Sequence, residues 1–342
     1  MFIERYKQPK TDTGAVFECP ISTISGDCMK IHDDLPSNFQ NSMYGLSVSA
    51  DAGRIVTCAP KYATIFGFAD EQKVQSVTGR CHLFQQSSNQ NISHLVQSRN
   101  AGLADPVDLA SRKQQYQSRQ HTFYLAKAEF GSSALLSENE YLLGGPGTSA
   151  WSGSMMQNTF GQSNPATTPI CEYTEDPAEK RAFSKSKFCY EMDQIKDSYG
   201  GTSVAILKSL KGYTNEHIYA MGLPGENKYG AVRFYRRQVD KLVEISDLYI
   251  DARPVFFDHV GVESGLTSAF GYSMAVMDIN NDGFDDLIVG APQYYHSRDG
   301  FEQGGAVFVF ESGAKNAGFS KSEMLSGPAG SGRVVKWRIP ET

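Results

Sequence analysis

Short apolar runs alternate with polar and glycine-rich ones along this chain, and the most regular of them lies near its end, FGYSMAVMDINNDGFDDLIVGAPQYYHSRDGFEQGGAVFVF, residues 270–310. An aromatic-glycine pair opens this stretch (Phe270, Gly271). An apolar run follows (273–277), then an acidic loop (278–286), then a second run (287–289) that closes on Gly290-Ala291-Pro292. The flanking runs alternate or are continuously apolar with β-branched residues, which predicts two β-strands joined by the loop.

The same pattern recurs upstream. The aromatic-Gly opening returns as Tyr44-Gly45-Leu46-Ser47 and Phe130-Gly131-Ser132-Ser133, and with a shifted aromatic as Tyr199-Gly200-Gly201-Thr202-Ser203. The closing returns around Cys58-Ala59-Pro60, Gly144-Gly145-Pro146 and Gly222-Leu223-Pro224. A third element, glycine followed by an apolar and aromatic run, follows Gly14, Gly79, Gly230 and Gly305, with Trp151-Ser152-Gly153 in its place in the middle unit. These glycines fall 65 to 77 residues apart. Such a period, with several short strands and glycine turns per unit, predicts an all-β fold, a β-propeller of four-stranded blades with loop insertions. The blades are placed at 14–40 (partial), 41–84, 121–153, 197–235 and 266–310, with the start of a further blade at 320–342. The polar stretch 84–120 and the stretch 154–196 read as surface excursions.

The acidic loop carries the candidate chemistry. Asp278, Asn280 and Asp282 stand at alternate positions, Gly283 permits a sharp turn, and Asp286 closes the loop. Calcium takes six to eight hard oxygen ligands, and a loop curled around a point brings positions 1, 3 and 5 together, with the carbonyl at position 7, here Phe284, as a further donor. In an EF-hand the closing carboxylate is at position 12 between helices, whereas here position 12 is Val289 inside a strand, so the prediction is a β-loop-β calcium site. The alternative is an Asx-rich hairpin turn whose carboxylates only cap backbone amides. The corresponding loop at 207–212 has no carboxylate and two lysines, and no metal is predicted there.

Composition narrows the classes further. The net charge of −6, with no basic stripe, argues against nucleic acid as the main partner. No run approaches the roughly 18 apolar residues of a membrane span, and no apolar leader is visible at the start. Six cysteines, none in C-x-x-C, and the sequon Asn91-Ile92-Ser93 lean toward an extracellular, glycosylated, disulfide-bonded protein; six free thiols and a chance sequon are the alternative. The seven histidines are scattered, with no H-E-x-x-H and no G-x-S-x-G, and the glycines of GGPGTSAWSG follow the repeat and lack a phosphate-loop lysine. No catalytic residues are expected.

The phenylalanine-glycine opening, the acidic loop and the Gly-Ala-Pro closing together resemble the FG-GAP repeats of integrin alpha subunits. GAVFECP, IVTCAPKY through TGRC, LLGGPGTSAWSG, and DSYGGTSV through YGAVRFY resemble the first four blades in family order, and the wording of the fifth is most like the laminin-binding type. The resemblance implies part of a seven-bladed propeller heading an alpha chain, a cell-surface adhesion receptor subunit on the extracellular side of a single-pass membrane protein. It implies pairing with an integrin beta subunit and binding of an extracellular matrix protein such as laminin. No insertion between the second and third blades is large enough for an inserted ligand-binding domain, so the ligand would be met by the propeller and the beta subunit together. Carried over residue by residue, Asp278, Asn280, Asp282, Phe284 and Asp286 hold Ca2+. The position after each anchor glycine (Leu46, Ser132, Thr202, Tyr272) faces the beta subunit, with Tyr272 and Thr202 as partner-binding candidates. Cys19–Cys28 and Cys58–Cys81 fit the family's first two disulfides. Cys171 and Cys189 are expected to pair with each other without support from the resemblance. Against the family pattern the sequence looks incomplete at both ends. The alternatives are an FG-GAP propeller of a secreted hydrolase and a non-functional truncated fragment.

Overall fold

The computed structural model describes residues 14–19, 28–31, 41–67, 73–87, 90–96, 128–160, 166–168, 173–175, 183–185, 197–213, 215–239, 241–257, 267–298, 301–313 and 318–326. Antiparallel strands dominate. A two-stranded sheet comes first among the described residues, β1 (Phe17–Glu18) with β2 (Met29–Lys30). Among the described residues, four four-stranded meanders follow in chain order. The second blade is β3 (Ser47–Asp51), β4 (Arg54–Ala59), β7 (Arg80–Ser87) and β8 (Gln90–Val96), with a hairpin of β5 (Ala63–Gly67) and β6 (Lys73–Val77) inserted before β7. The third is β9 (Ser133–Ser137), β10 (Glu140–Gly145), β11 (Ser154–Thr159) and β12 (Ala166–Thr167), with a short helix α1 (Thr148–Trp151) before β11. A small hairpin of β13 (Tyr173–Glu175) and β14 (Phe183–Lys185) stands apart from the blades.

The fourth blade is β15 (Ser203–Leu207), β16 (Ile218–Leu223), β17 (Ala231–Gln238) and β18 (Lys241–Glu244). Past it, β19 (Ile250–Asp251) pairs back onto β17, and α2 (Ala252–Phe257) follows. The fifth is β20 (Ser273–Met277), β21 (Asp286–Arg298), β22 (Phe301–Ser312) and β23 (Phe319–Ser326). A single parallel pair, Thr167 opposite Lys241, joins the outer strands of the third and fourth blades. The protein is all-β, built of propeller blades.

Three stretches differ from the sequence reading. Residues 154–159 lie within a stretch read as a surface excursion, yet they form β11 with Met155 and Met156 fully buried. The polar stretch after Phe84 contributes the end of β7 and all of β8. Phe319–Ser326, read in part as the start of a further blade, is the fourth strand of the fifth. β8 and β23 are fourth strands, where polar residues are tolerated on a solvated face and the alternation weakens; β11 hides its period because its polar Ser154 and Gln157 are buried alongside the methionines.

The apolar cores lie between consecutive blades. One cluster combines Val56, Leu83, Phe130 and Leu143 of the second and third blades. Another combines Leu142, Met155, Val204 and Tyr219 of the third and fourth. The largest combines Leu207, Phe234, Phe270 and Phe308 of the fourth and fifth. The inner strands β9, β15 and β20 border one cavity of about 310 Å³, walled by Leu135, Val204, Ile206, Met274 and Val276.

Two backbone devices set how blades meet. The first is the periodic glycine. A Cβ on Gly14, Gly79, Gly153 or Gly230 would lie 2.0–2.1 Å from the carbonyl oxygen of Tyr44, Phe130, Gly200 or Phe270, the residue just before the anchor glycine of the next blade. All four glycines have φ between +80° and +100°, which side chains rarely adopt. The second device is the serine of the opening. Ser47 Oγ donates to the Gly131 carbonyl at 2.6 Å, Ser133 Oγ to Gly201 at 2.8 Å and Ser203 Oγ to Gly271 at 2.7 Å, in each case one blade onward.

Ser203→Ala should therefore cost about 1–2 kcal/mol, because a buried carbonyl loses its donor. Ser273 has the same place in its strand but is exposed, so Ser273→Ala should stay within about 0.5 kcal/mol. Urea denaturation of the two variants reads the difference, and equal losses would show that the serine works within its own blade.

A polar weld adds to the joint between the third and fourth blades. Glu140, 4% exposed, lies 2.5 Å from His217 Nδ1 and accepts from Tyr219 Oη at 2.7 Å and Gln157 Nε2 at 2.6 Å. Burial, and then the Glu140 charge, push the Tyr219 phenol well above its usual range, so Tyr219 stays protonated and donates.

Candidate functional site

The acidic loop spans the gap between Met277 and Asp286, which face each other across the β20–β21 ladder. Its turn is made by Asn281 (φ 59°) and Gly283 (φ 86°). Asp278 accepts from the Asp282 amide at 3.1 Å and the Gly283 amide at 2.8 Å. Asn280 Oδ1 accepts from the same Asp282 amide at 3.0 Å, and Asp282 Oδ1 from the Phe284 amide at 3.0 Å. Asp278 and Asn280 thus converge on one N–H, and Asp282 folds back beside them. Asp286 is different. It is fully buried and spans two elements, taking the Ile279 amide at 2.8 Å on one oxygen and the Ser312 amide of β22 at 2.8 Å on the other.

In this arrangement the carboxylates cap amides, which is the alternative that the sequence left open. Among the described residues no three His, Cys, Asp or Glu side chains stand close enough to hold an ion as they are placed. The donor set nevertheless suits calcium. It is all oxygen, it comes from alternate positions of a largely exposed loop, and a carboxylate oxygen that accepts one N–H keeps a second lone pair.

The opposite ends of the inner strands carry a second shared feature. In each of four blades a turn precedes the inner strand, closed by Leu46 N–H to Met43, Ser132 N–H to Glu129, Thr202 N–H to Tyr199 and Tyr272 N–H to Ala269, at 3.0–3.2 Å. The first residue of each turn has positive φ: Met43, Glu129, Tyr199 and Ala269 at 52–58°. Leu46 (47%), Tyr272 (55%) and Tyr199 (42%) are exposed there. Thr202 is half-buried, and its hydroxyl donates to the Tyr199 carbonyl at 2.7 Å, inside its own turn. The fourth blade thus presents Tyr199, whose ring lies 5.7 Å from that of Trp151. The shifted aromatic of YGGTSV was the available signal for it.

Cys19–Cys28 and Cys58–Cys81 are disulfide-bonded. Cys171 and Cys189 lie outside the described residues. Asn91 falls in β8 with its backbone opposite Gln86, and its side chain lies outside the described set.

The family model for the FG-GAP repeat matches residues 270–310, the blade that holds the acidic loop. This chain carries an FG-GAP repeat. Along most of its length it is also similar to integrin alpha subunits. It is 30% identical over 312 residues to integrin alpha-7 of Rattus norvegicus, covering 89% of this chain and 24% of that protein. It is 25% identical over 314 residues to integrin alpha-6 of Gallus gallus, covering 89% and 26%, and 25% identical over 331 residues to integrin alpha-3 of Mus musculus, covering 93% and 26%. The chain thus spans about a quarter of the length of these relatives. The matched repeat runs from the Phe270-Gly271 joint through the acidic loop to Phe310, so anchor, loop and closing belong to one unit. No helix among the described residues is long and apolar enough to cross a membrane.

Proposed function

We propose that this chain is part of the propeller head of an integrin-type alpha subunit, a non-catalytic adhesion component at the cell surface. It pairs with a beta subunit and, with it, binds an extracellular matrix protein such as laminin. The observation that carries this reading is the set of four equivalent turns at one end of the blades, in a chain similar to integrin alpha subunits along most of its length. Protein interfaces use exposed aromatic side chains as anchors, and the exposure of Tyr272 and Tyr199 on hydrogen-bonded turns supports that role for them. Thr202 braces the Tyr199 turn.

The acidic loop has a structural role in this reading. Asp278, Asn280, Asp282, the Phe284 carbonyl and Asp286 would hold calcium, whose charge offsets carboxylate repulsion. The residues themselves curl the loop, cap its amides and, through Asp286, tie it to β22.

Co-expression with an integrin beta-subunit head tests the pairing. The chain should associate with it, and Tyr272→Ala should weaken the complex by about ten-fold or more, the usual effect of losing an aromatic anchor. Tyr199→Ala should act in the same direction. Absence of association, or affinities untouched by both substitutions, would remove this reading.

A further inference from the structure

We propose that Asp285 is a positioning residue that carries the ion state of the acidic loop into the neighbouring fourth blade. The proposal rests on the calcium reading above. Asp285 stands between Phe284 and Asp286 but points away from the loop. Its Oδ2 accepts from the Lys208 amide at 2.6 Å and the Ser209 amide at 2.9 Å. Its own amide donates to the Ser209 carbonyl at 2.7 Å, and Ser209 Oγ donates to the Gly283 carbonyl at 2.9 Å. Four hydrogen bonds thus join the two hairpin loops, and Lys211 Nζ adds a contact 5.6 Å from the centre of the Phe284 ring.

The chemistry on the two sides is complementary. The 207–212 segment carries two lysines and no carboxylate, so its turn amides at 208 and 209 have no local carboxylate to cap them. Asp285 supplies the missing cap from the next blade. The backbone from which it projects is held on both sides, by Asp282 at the Phe284 amide and by the Asp286 staple to Ile279 and Ser312. Ordering residues 278–284 therefore orders the stem of Asp285, and a charge-assisted cap on a fixed stem protects the amides it holds. Asp285 is not a ligand here; it links one ion loop to a second loop that has none.

Amide hydrogen exchange, with calcium chloride and with chelator, tests this. In the wild-type chain calcium should slow exchange at 282–284 and also at Lys208 and Ser209, the latter by about ten-fold, as expected for a hydrogen bond to a charged acceptor. In Asp285→Ala the calcium effect should persist at 282–284 and vanish at 208–209. Asp285→Asn keeps one neutral acceptor oxygen and preserves the fold should the alanine variant not fold; it should reduce the effect at 208–209. A wild-type response confined to 282–284 overturns the coupling alone, as does a response at 208–209 that survives both substitutions. No response at either segment overturns the calcium reading and the coupling with it.

Discussion

Gly230→Ala should lower stability by about 2–5 kcal/mol, the sum of a side chain forced into the left-handed region and a backbone overlap that cannot relax. Gly230 has φ +100°, and an added Cβ would lie 2.1 Å from the Phe270 carbonyl oxygen and 2.7 Å from the Phe270 nitrogen. These are backbone atoms of the next blade, held by the hydrogen bond that the Phe270 amide donates to the Tyr229 carbonyl at 3.1 Å. Relief would require moving one blade against the other, across the apolar cluster that the two share. Gly305 is the internal control. Its φ is +78°, but the nearest atom to an added Cβ is the Pro292 carbonyl oxygen at 3.3 Å, so Gly305→Ala should cost only the conformational part, about 1–2 kcal/mol. Urea midpoints of the two variants at unchanged slope give the comparison. Equal losses would mean that the periodic glycine serves its own turn and not the joint.

Phe270→Ala should cost about 3–5 kcal/mol, the usual range for emptying a buried aromatic site. The ring is fully buried and meets Phe308 and Phe310 edge-on, with centroids 5.5 and 5.9 Å away. Those partners lie on β22, while Leu207 and Phe234 of the same cluster belong to the fourth blade, so the cavity would open between blades. Collapse of the surroundings is opposed because Gly230 and the Gly271 carbonyl, which accepts from Ser203, hold the backbone on either side. Phe270→Leu keeps most of the buried area and should lose well under half as much. A loss below about 1 kcal/mol for the alanine variant would show that the cluster does not bind the blades together.

The repeat was legible because its markers are backbone requirements. A glycine that must approach a neighbouring blade, and an aromatic that must fill the joint, leave the same letters at each turn of the pattern. That is why Gly79, Gly153 and Gly230 and the openings at Tyr44, Phe130 and Phe270 could be found without coordinates. The outer strands have no such requirement. Gln90–Val96 pairs with β7 through backbone atoms, so its side chains carry little signal. β21 also runs past the Gly-Ala-Pro closing to Arg298, because a shift in pairing between Ala291 and Tyr295 accommodates a proline that cannot donate.

At the acidic loop the spacing indicated which oxygens gather, but not their partners. Asp286 also ties the loop to β22 through the Ile279 and Ser312 amides, a role that its spacing did not reveal. Asp285 had no reading at all, because its partners lie 76 and 77 residues away in another blade. The Glu140 weld was invisible for the same reason, since its partners His217 and Tyr219 are equally remote in sequence.

Calorimetry with and without calcium tests the central claim most directly. At saturating calcium the wild-type chain should melt roughly 5 °C or more above its temperature in chelator, since an ion at a hundred times its dissociation constant adds about 2.7 kcal/mol to a domain of this size class. Asp282→Ala should abolish that gain while melting close to wild type in chelator. Melting temperatures that do not respond to calcium, or an Asp282→Ala loss that is the same with and without the ion, would contradict the account.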